Sequence, residues 1–257
     1  MSSKIDIPEV PSWAVPSWAV PRPRLTARIE RGTHGLLTVV SGVPGAGKTM
    51  AVASWVASLK NTATPITVAW VSADDGDCDP VLFWGSLVAA LRRAGVNLPF
   101  SVDAPFRTDG IDHLRIAELA SVLTRRRHPV VLVLDDFRPT VGSTLVTAMA
   151  YLLKLARFRL RLVIISRRGL PLPVHRYRLT GDLTEIRSDD LAFTRPETDE
   201  LMARHSVVLR HKSVRILLES TEGWAAGLRL AAMSMEGHPD PDELVTHITN
   251  GDQAIAS

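Results

Sequence analysis

Short apolar runs alternate with longer segments that carry an apolar stripe through most of the chain. The runs are typical of β-strands and lie at residues 36–40, 65–71, 130–134 and 160–165. Helical periodicity occupies residues 50–60, 81–93 and 143–157, and a further segment that starts after Asp109 or Asp112. The run at 130–134 has no polar interruption, as in a strand buried on both faces of a parallel sheet. The alternation predicts an α/β fold in which helices cover both faces of a parallel sheet.

The pattern changes at residue 189, beyond which the periodicity is helical. Thr194 and Glu197 have the spacing of a capping box, in which each side chain accepts the backbone N–H of the other residue, and Pro196 suits the first turn of the helix. We therefore predict three parts. They are an extended proline-rich lead-in at 1–24, an α/β domain at 25–190, and a helical domain at 191–257 with an incomplete carboxyl-terminal extension.

The lead-in contains a direct repeat. Pro-Ser-Trp-Ala-Val occurs at residues 11–15 and again at 16–20. The density of prolines excludes a helix and favours an extended chain. We interpret the repeat as a duplication in a tail that tolerates change; a docking motif built on Trp13 and Trp18 is the alternative.

Composition narrows the class of protein. The chain has 257 residues, of which 46% are hydrophobic and 22% charged, as in soluble globular proteins. The net charge of +3 is no evidence for nucleic-acid binding, and the single cysteine, Cys78, rules out an internal disulfide. The amino terminus lacks the apolar core of a signal peptide, and no apolar run has the length of a membrane helix. These features predict a cytoplasmic protein without membrane contact.

One stretch between the first strand and the first long helix carries specific chemistry. It reads Gly42-Val43-Pro44-Gly45-Ala46-Gly47-Lys48-Thr49 and is followed by Met50. This is the phosphate-binding P-loop, in which glycines let successive backbone N–H groups converge on a phosphate. Lys48 is expected to reach the β- and γ-phosphates, and Thr49 to bind Mg²⁺. A dinucleotide-binding loop fits less well, since no third glycine follows Gly47 at the required spacing.

Two aspartates end the uninterrupted apolar run, where open α/β sheets bind their ligands. Asp135 is expected to hold Mg²⁺, as in a Walker B strand. Asp136 is the candidate for polarising the attacking water; the alternative is that it only forms hydrogen bonds with its neighbours. Ser166 and Arg167 end the next run, where the arginine is placed to sense the γ-phosphate; a simple surface pair is the alternative.

In their order and spacing, these motifs resemble the amino-terminal part of the MalT-like STAND ATPases, large LuxR-family transcriptional regulators. The resemblance extends over roughly residues 20–235. The matching strings are Pro23-Arg24-Leu25, the P-loop, Trp70-x-Ser72-x-Asp74 with Asp77, Asp79-Pro80 and Phe83, Leu134-Asp135-Asp136, Ser166-Arg167, Leu191-Ala192-Phe193-Thr194, and Glu222-Gly223-Trp224-x-x-Gly227-Leu228.

The resemblance implies a P-loop NTPase core of the ASCE/STAND type. Its parallel sheet would have five strands in the order 5-1-4-3-2, followed by a small helical domain that closes over the nucleotide. Such proteins are slow switches in which ADP holds a closed monomer, while ATP with an inducer permits self-association. The resemblance also places Arg22 or Arg24 near the adenosine and gives Arg167 the sensor role.

The function expected from the sequence is an ATP- or ADP-binding, Mg²⁺-dependent slow ATPase that serves as the nucleotide switch of a transcriptional regulator. Its catalytic residues would be Lys48, Asp135, Asp136 and Arg167. A module that holds nucleotide without turnover is one alternative, and a small-molecule phosphotransferase is another. The chain stops before the winged helix, sensor repeats and DNA-binding helix-turn-helix of the family, so no DNA contact is assigned to it.

Overall fold

The computed structural model describes residues 15–59, 66–72, 79–99, 112–137, 143–167 and 174–246. The first tryptophan of the repeat, the alternative helix cap Asp109, the two aspartates at 74 and 77, and the single cysteine lie outside the described residues. Within the described residues, no helix combines the length and the apolar character needed to cross a membrane.

The sheet of the described residues has five parallel strands. They are β1 (Leu37–Ser41), β2 (Thr67–Ser72), β3 (Val130–Asp135), β4 (Leu160–Ser166) and β5 (Leu183–Ile186). Their order across the sheet is β2-β3-β4-β1-β5, with every neighbouring pair parallel. Read from the other edge, this is 5-1-4-3-2, so the predicted strand order is confirmed.

Helices fill the connections and form the carboxyl-terminal part. They are α1 (Pro23–Gly32), α2 (Lys48–Ser58), α3 (Pro80–Arg93), α4 (His113–Thr124), α5 (Thr144–Ala156), α6 (Val174–Leu179), α7 (Ser188–Leu191), α8 (Arg195–Arg204), α9 (His211–Thr221) and α10 (Ala225–Met235). Residues 241–246 are also helical. Asp112 is the cap of α4, because its carboxylate accepts the backbone N–H of Arg115 at 3.1 Å.

The strands separate two hydrophobic clusters, one on each face of the sheet. In β3, Val131 and Val133 point to the cluster that contains α1 and α2. The alternate residues Val130, Leu132 and Leu134 point to the cluster that contains α3, α4 and α5. This period of two, with apolar residues at every position, is what a strand buried on both faces requires. The predicted sheet with helices on both faces is therefore confirmed.

A third cluster lies within the helical part. It is built from α8, α9 and α10 and also contains Val20 of the lead-in, which is only 7% exposed. The predicted capping box is present, since the backbone N–H of Thr194 donates to Glu197 Oε2 at 3.0 Å. The division into domains at residues 24 and 190 stays a prediction.

Candidate functional site

The P-loop connects the end of β1 to the start of α2. Gly45 and Gly47 have φ angles of +76° and +81°, a left-handed conformation that side chains rarely adopt. Gly47 is the residue before α2, so the amino end of that helix faces the concave side of the loop. Backbone N–H groups and a helix terminus are thus gathered in the arrangement that binds phosphate.

Lys48 is folded back over this loop. Its ammonium nitrogen Nζ donates to the carbonyl oxygens of Gly42 and Val43, each at 2.8 Å. Burial lowers the pKa of Lys48, and the neighbouring positive charge of Arg167 lowers it further, while Asp136 and Asp135 partly offset both effects. A positively charged group is therefore held beside the loop by carbonyls that a phosphate can replace.

Thr49 and Asp135 meet across the carboxyl edge of the sheet. The hydroxyl of Thr49 donates to Asp135 Oδ1 at 3.0 Å. Asp135 is only 6% exposed, and burial raises the pKa of its carboxyl above 3.8, although the bond from Thr49 acts in the opposite direction. A cation beside these two oxygens would relieve the cost of burying the carboxylate.

Asp136 and Arg167 form an ion pair next to this position. Arg167 Nη2 lies 3.5 Å from Asp136 Oδ2, and both side chains are partly exposed. Asp136 has a φ of +55°, which an aspartate tolerates better than most residues. The pair lies at the ends of β3 and β4, neighbouring strands in the sheet, as the sequence predicts. Roles in sensing phosphate or orienting water stay predictions.

The helical part contacts the P-loop directly. The indole Nε1 of Trp224 donates to the carbonyl oxygen of Pro44 at 3.0 Å, and the backbone N–H of Ala226 donates to that of Gly45 at 3.0 Å. The approach is close, since a Cβ added to Gly45 would lie 2.7 Å from the Cβ of Ala226. Together with the two carbonyls bound by Lys48, successive P-loop carbonyls from Gly42 to Gly45 are hydrogen-bonded. Among the N–H groups of the loop, those of Gly42 and Ala46 also donate within the protein, to the carbonyl oxygens of Ser166 at 3.4 Å and Val43 at 3.3 Å. The bonds from the helical part therefore hold the outer side of the loop.

A cavity of about 410 Å³ lies between the P-loop, α1, α2 and the helical part. It is within the size range of small-molecule sites. Among the residues predicted for the site, those lining it are Arg22, Gly45, Gly47, Lys48, Thr49 and Met50. The remaining lining residues are Pro16, Trp18, Val20, Leu25, Thr26, Ala51, Ser54, Phe193, Leu201, Ala225, Ala226 and Arg229. Most of this second set was not predicted, because it comes from the lead-in and from the helical part.

The two arginines expected near the adenosine differ in position. Arg22 lines the cavity; its guanidinium donates to the carbonyls of Leu191 and Ala192 at 2.6 and 3.0 Å and lies 4.4 Å from the ring centroid of Phe193. Burial lowers the pKa of Arg22 to about 10, although the nearby Glu197 carboxylate opposes the shift.

Arg24 is not among the lining residues, and its guanidinium is occupied by the helical part. It pairs with both carboxylate oxygens of Glu197, at 2.8 and 2.9 Å, and also donates to the carbonyls of Asp190 and Ala192. Arg24 thus ties α1 to α8, behind the cavity rather than in its wall.

Comparisons with known proteins agree with this geometry. The sequence profile described as "AAA domain" matches residues 30–171, more than half of the chain. The chain is 30% identical over 240 residues to the serine/threonine-protein kinase PknK of Mycobacterium tuberculosis, a match that covers 91% of this chain and 21% of that protein. It is 29% identical over 216 residues to the HTH-type transcriptional regulator MalT of Serratia proteamaculans, covering 83% of this chain and 23% of MalT.

Solved structures share the fold at lower identity. AMPPCP-bound DnaA from Aquifex aeolicus has a TM-score of 0.52 and 14% identity, covering 90% of this chain and 65% of DnaA. The STAND protein PH0952 from Pyrococcus horikoshii has a TM-score of 0.51 and 15% identity, covering 96% of this chain and 34% of PH0952.

The chain spans about a fifth of the length of the curated relatives that it matches. The resemblance to the amino-terminal nucleotide-binding part of MalT-like proteins is confirmed by these matches. The chain therefore belongs to the AAA domain family, as a P-loop ATPase domain related to that of MalT.

Proposed function

We propose that this chain binds ATP or ADP with Mg²⁺, hydrolyses ATP slowly, and acts as the nucleotide switch of a larger MalT-like regulator in the cytoplasm. The observation that carries this proposal is the convergence of Lys48, Thr49 and Asp135 at a P-loop whose outer carbonyls are held by the helical part. The same loop that is proposed to bind phosphate is therefore in direct contact with the helical part, which supports a coupling between the two.

Phosphate binding is proposed to begin with an exchange at Lys48. Its ammonium leaves the carbonyls of Gly42 and Val43 and donates to β- and γ-phosphate oxygens instead. The backbone N–H groups of the loop and the amino end of α2 complete the site. The partial burial of Lys48 strengthens its interaction with an anion, because less water competes for the charge.

The residues present fit a magnesium ion bound together with a nucleotide. Thr49 Oγ1 and Asp135 Oδ1 would hold it, and phosphate oxygens and water would supply the remaining ligands, as is usual for Mg²⁺. Within the described residues, no group of three or more Asp, Glu, His or Cys side chains could hold a metal ion. When bound, the ion would neutralise charge that develops on the phosphates.

Hydrolysis is proposed as in-line attack of a water oxygen on the γ-phosphorus, with breakage of its bond to the bridging oxygen and departure of ADP. Asp136 would orient the water and Arg167 would stabilise charge on the γ-phosphate. Because these two side chains pair with each other, they must separate before either acts, which is consistent with slow turnover.

The same pairing favours the second candidate, a module that holds nucleotide without turnover. Phosphate release under single-turnover conditions distinguishes the two.

We predict different consequences for the two aspartates. Asp135→Asn should abolish the Mg²⁺ dependence of ATP binding, whereas Asp136→Asn should retain Mg-ATP and lose phosphate release. Equilibrium binding with and without EDTA, together with a phosphate assay, measures both effects. Asp189→Asn, at an exposed position of α7, is the control. If both variants lose turnover alone, the metal-binding role of Asp135 is wrong.

Asp135→Asn should also raise the melting temperature of the nucleotide-free chain at neutral pH. The pKa of Asp135 is raised by burial, so between pH 3.8 and the folded-state pKa the folded chain binds more protons than the unfolded chain. Folded stability therefore falls as the pH rises through this range, and the amide removes that penalty. The gain in melting temperature should disappear at a pH below 3.8.

The switch itself is proposed to act through Trp224. Trp224→Phe removes the hydrogen bond to Pro44 but keeps an aromatic ring. One hydrogen bond contributes about 0.5–1.5 kcal/mol, so ADP affinity should fall roughly 2- to 13-fold. ADP should also protect the junction at residues 187–195 from protease less well in this variant. Leu230→Ala, at an exposed position of α10, is the control. Equal affinity and equal protection in Trp224→Phe and the unaltered chain would show that the helical part does not respond to nucleotide.

Self-association in the ATP state belongs to the same proposal and is measured by sedimentation with ATP and with ADP.

A further inference from the structure

The second copy of the Pro-Ser-Trp-Ala-Val repeat, residues 16–20, is packed against the helical part. Val20 belongs to the same hydrophobic cluster as Leu201 and Leu228. The guanidinium of Arg204 donates to the carbonyl oxygen of Ser17 at 3.0 Å. For this copy, the interpretation as a tail that tolerates change is therefore wrong.

Trp18 is held in a different way from Val20. Among the described residues it belongs to none of the three hydrophobic clusters, and its side chain is half-buried in the cavity wall. The guanidinium carbon of Arg229 lies 3.6 Å from the centroid of the Trp18 ring, in a cation–π contact. Because Val20 supplies the core packing of this segment, the core does not need the indole. Both residues of this pair line the cavity.

The cavity lining has two chemical parts. At the amino end of α2, the P-loop glycines and Lys48 suit phosphates, and the lining continues along the helix to Ser54. The distance from Lys48 to Ser54 along the helix axis is roughly 9 Å at 1.5 Å per residue. Away from the P-loop, several lining residues are apolar, namely Trp18, Val20, Leu25, Phe193 and Leu201. The positively charged residues Arg22 and Arg229 also line this part. An anionic chain joined to an uncharged planar ring matches this combination.

We propose that Trp18, braced by Arg229, is the surface on which the base of the bound nucleotide stacks. This inference rests on the proposed nucleotide-binding function and names the part of the site that recognises the nucleoside. Arg229 fixes the plane of the indole before the ligand arrives, so less side-chain entropy is lost on binding. Stacking uses the π-face that all bases share, so Trp18 contributes affinity for nucleotides over inorganic phosphates and discriminates weakly between bases.

The test compares ADP with inorganic pyrophosphate in calorimetric titrations of the full chain. Trp18→Ala should lower ADP affinity roughly 5- to 150-fold, the range measured for loss of one base–aromatic stack, and leave pyrophosphate affinity unchanged. Trp18→Phe should retain most of the ADP affinity. Trp13→Ala is the matched control, because it makes the same change in an identical pentapeptide and should alter neither titration.

The outcomes separate this inference from the proposed function. ADP affinity in Trp18→Ala equal to that of the unaltered chain overturns the inference, and so does an equal loss of ADP and pyrophosphate. If the unaltered chain binds pyrophosphate and ADP equally well, the phosphate site stands but the stacking surface is wrong. If the unaltered chain binds neither, the proposed function itself has failed.

Discussion

Replacing Lys48 with alanine is expected to weaken ATP binding by roughly tenfold or more. Lys48 supplies a positive charge beside the phosphate-binding concavity, and a hydrogen bond to a charged group contributes about 1.5–3 kcal/mol. In the structure the ammonium donates to the carbonyls of Gly42 and Val43, from which phosphate oxygens can take it over. Calorimetric titration with Mg-ATP measures the change.

The stability of the nucleotide-free chain should barely change in Lys48→Ala. Burial lowers the pKa of Lys48, which shows that the folded environment favours its charge less than water does. Removing the ammonium therefore removes a cost as well as two hydrogen bonds. Lys212→Ala, an exposed lysine of α9, controls for net charge. An ATP affinity that is unaltered in Lys48→Ala would exclude the P-loop as the binding site.

Glu197→Ala is expected to destabilise the helical part by about 3–5 kcal/mol, the cost of breaking a buried ion pair by removing one partner. The Glu197 carboxylate lies 2.8 Å from Arg24 Nε and 3.3 Å from Arg22 Nε, and the side chains of Glu197 and Arg22 are each only 9% exposed. Glu197 also accepts the backbone N–H of Thr194 at the start of α8. Its removal leaves a buried arginine without a carboxylate partner and removes the Glu197 half of the capping box of α8.

Urea denaturation and hydrogen exchange in α8 and α10 measure this loss. Glu197→Gln retains an oxygen that can cap the helix, so its effect should be smaller than that of alanine. Glu200→Ala removes a surface ion pair with Arg204 on the same helix and should cost only about 0.3–0.5 kcal/mol. Similar losses for Glu197→Ala and Glu200→Ala would contradict the assignment of Glu197 as the buried link between α1 and α8.

The same carboxylate predicts sensitivity to acid. Burial alone would raise the pKa of Glu197, but the hydrogen bonds from Arg24 and Thr194 and the charges of Arg22 and Arg24 outweigh it and hold the pKa below 4.5. The stabilisation is therefore present above pH 4.5 and is lost as the pH falls through the folded-state pKa. Hydrogen exchange in α8 should accelerate at acid pH in the unaltered chain and show less of this dependence in Glu197→Gln.

Local patterns in the sequence predicted the sheet and the polar residues at its carboxyl edge. The uninterrupted apolar run of β3 and the glycine spacing of the P-loop are short-range signals with direct physical causes. The strand β5 was not located, because its four residues are mostly only partly buried and carry no clear alternation. Among the described residues it pairs with β1 and forms one edge of the sheet.

The remaining parts of the site depend on contacts between distant segments. Trp224 was expected in a closing segment, but its bond to Pro44 joins residues 180 positions apart and has no local signature. Arg22 and Arg24 have equivalent sequence surroundings, Pro-Arg-Pro-Arg, yet Arg22 lies before α1 and lines the cavity, whereas Arg24 lies in its first turn and faces Glu197. No pattern in the sequence indicates that Trp18 lines the site, because the composition of the repeat resembles that of a tail.

If one nucleotide binds at the P-loop beneath the helical part, titration of the chain with Mg-ADP should show saturable binding to one site per chain. We expect this binding to be weaker in Lys48→Ala and to slow protease cleavage at residues 187–195. Absence of saturable binding, or binding that is identical in Lys48→Ala with unchanged cleavage, would contradict this expectation.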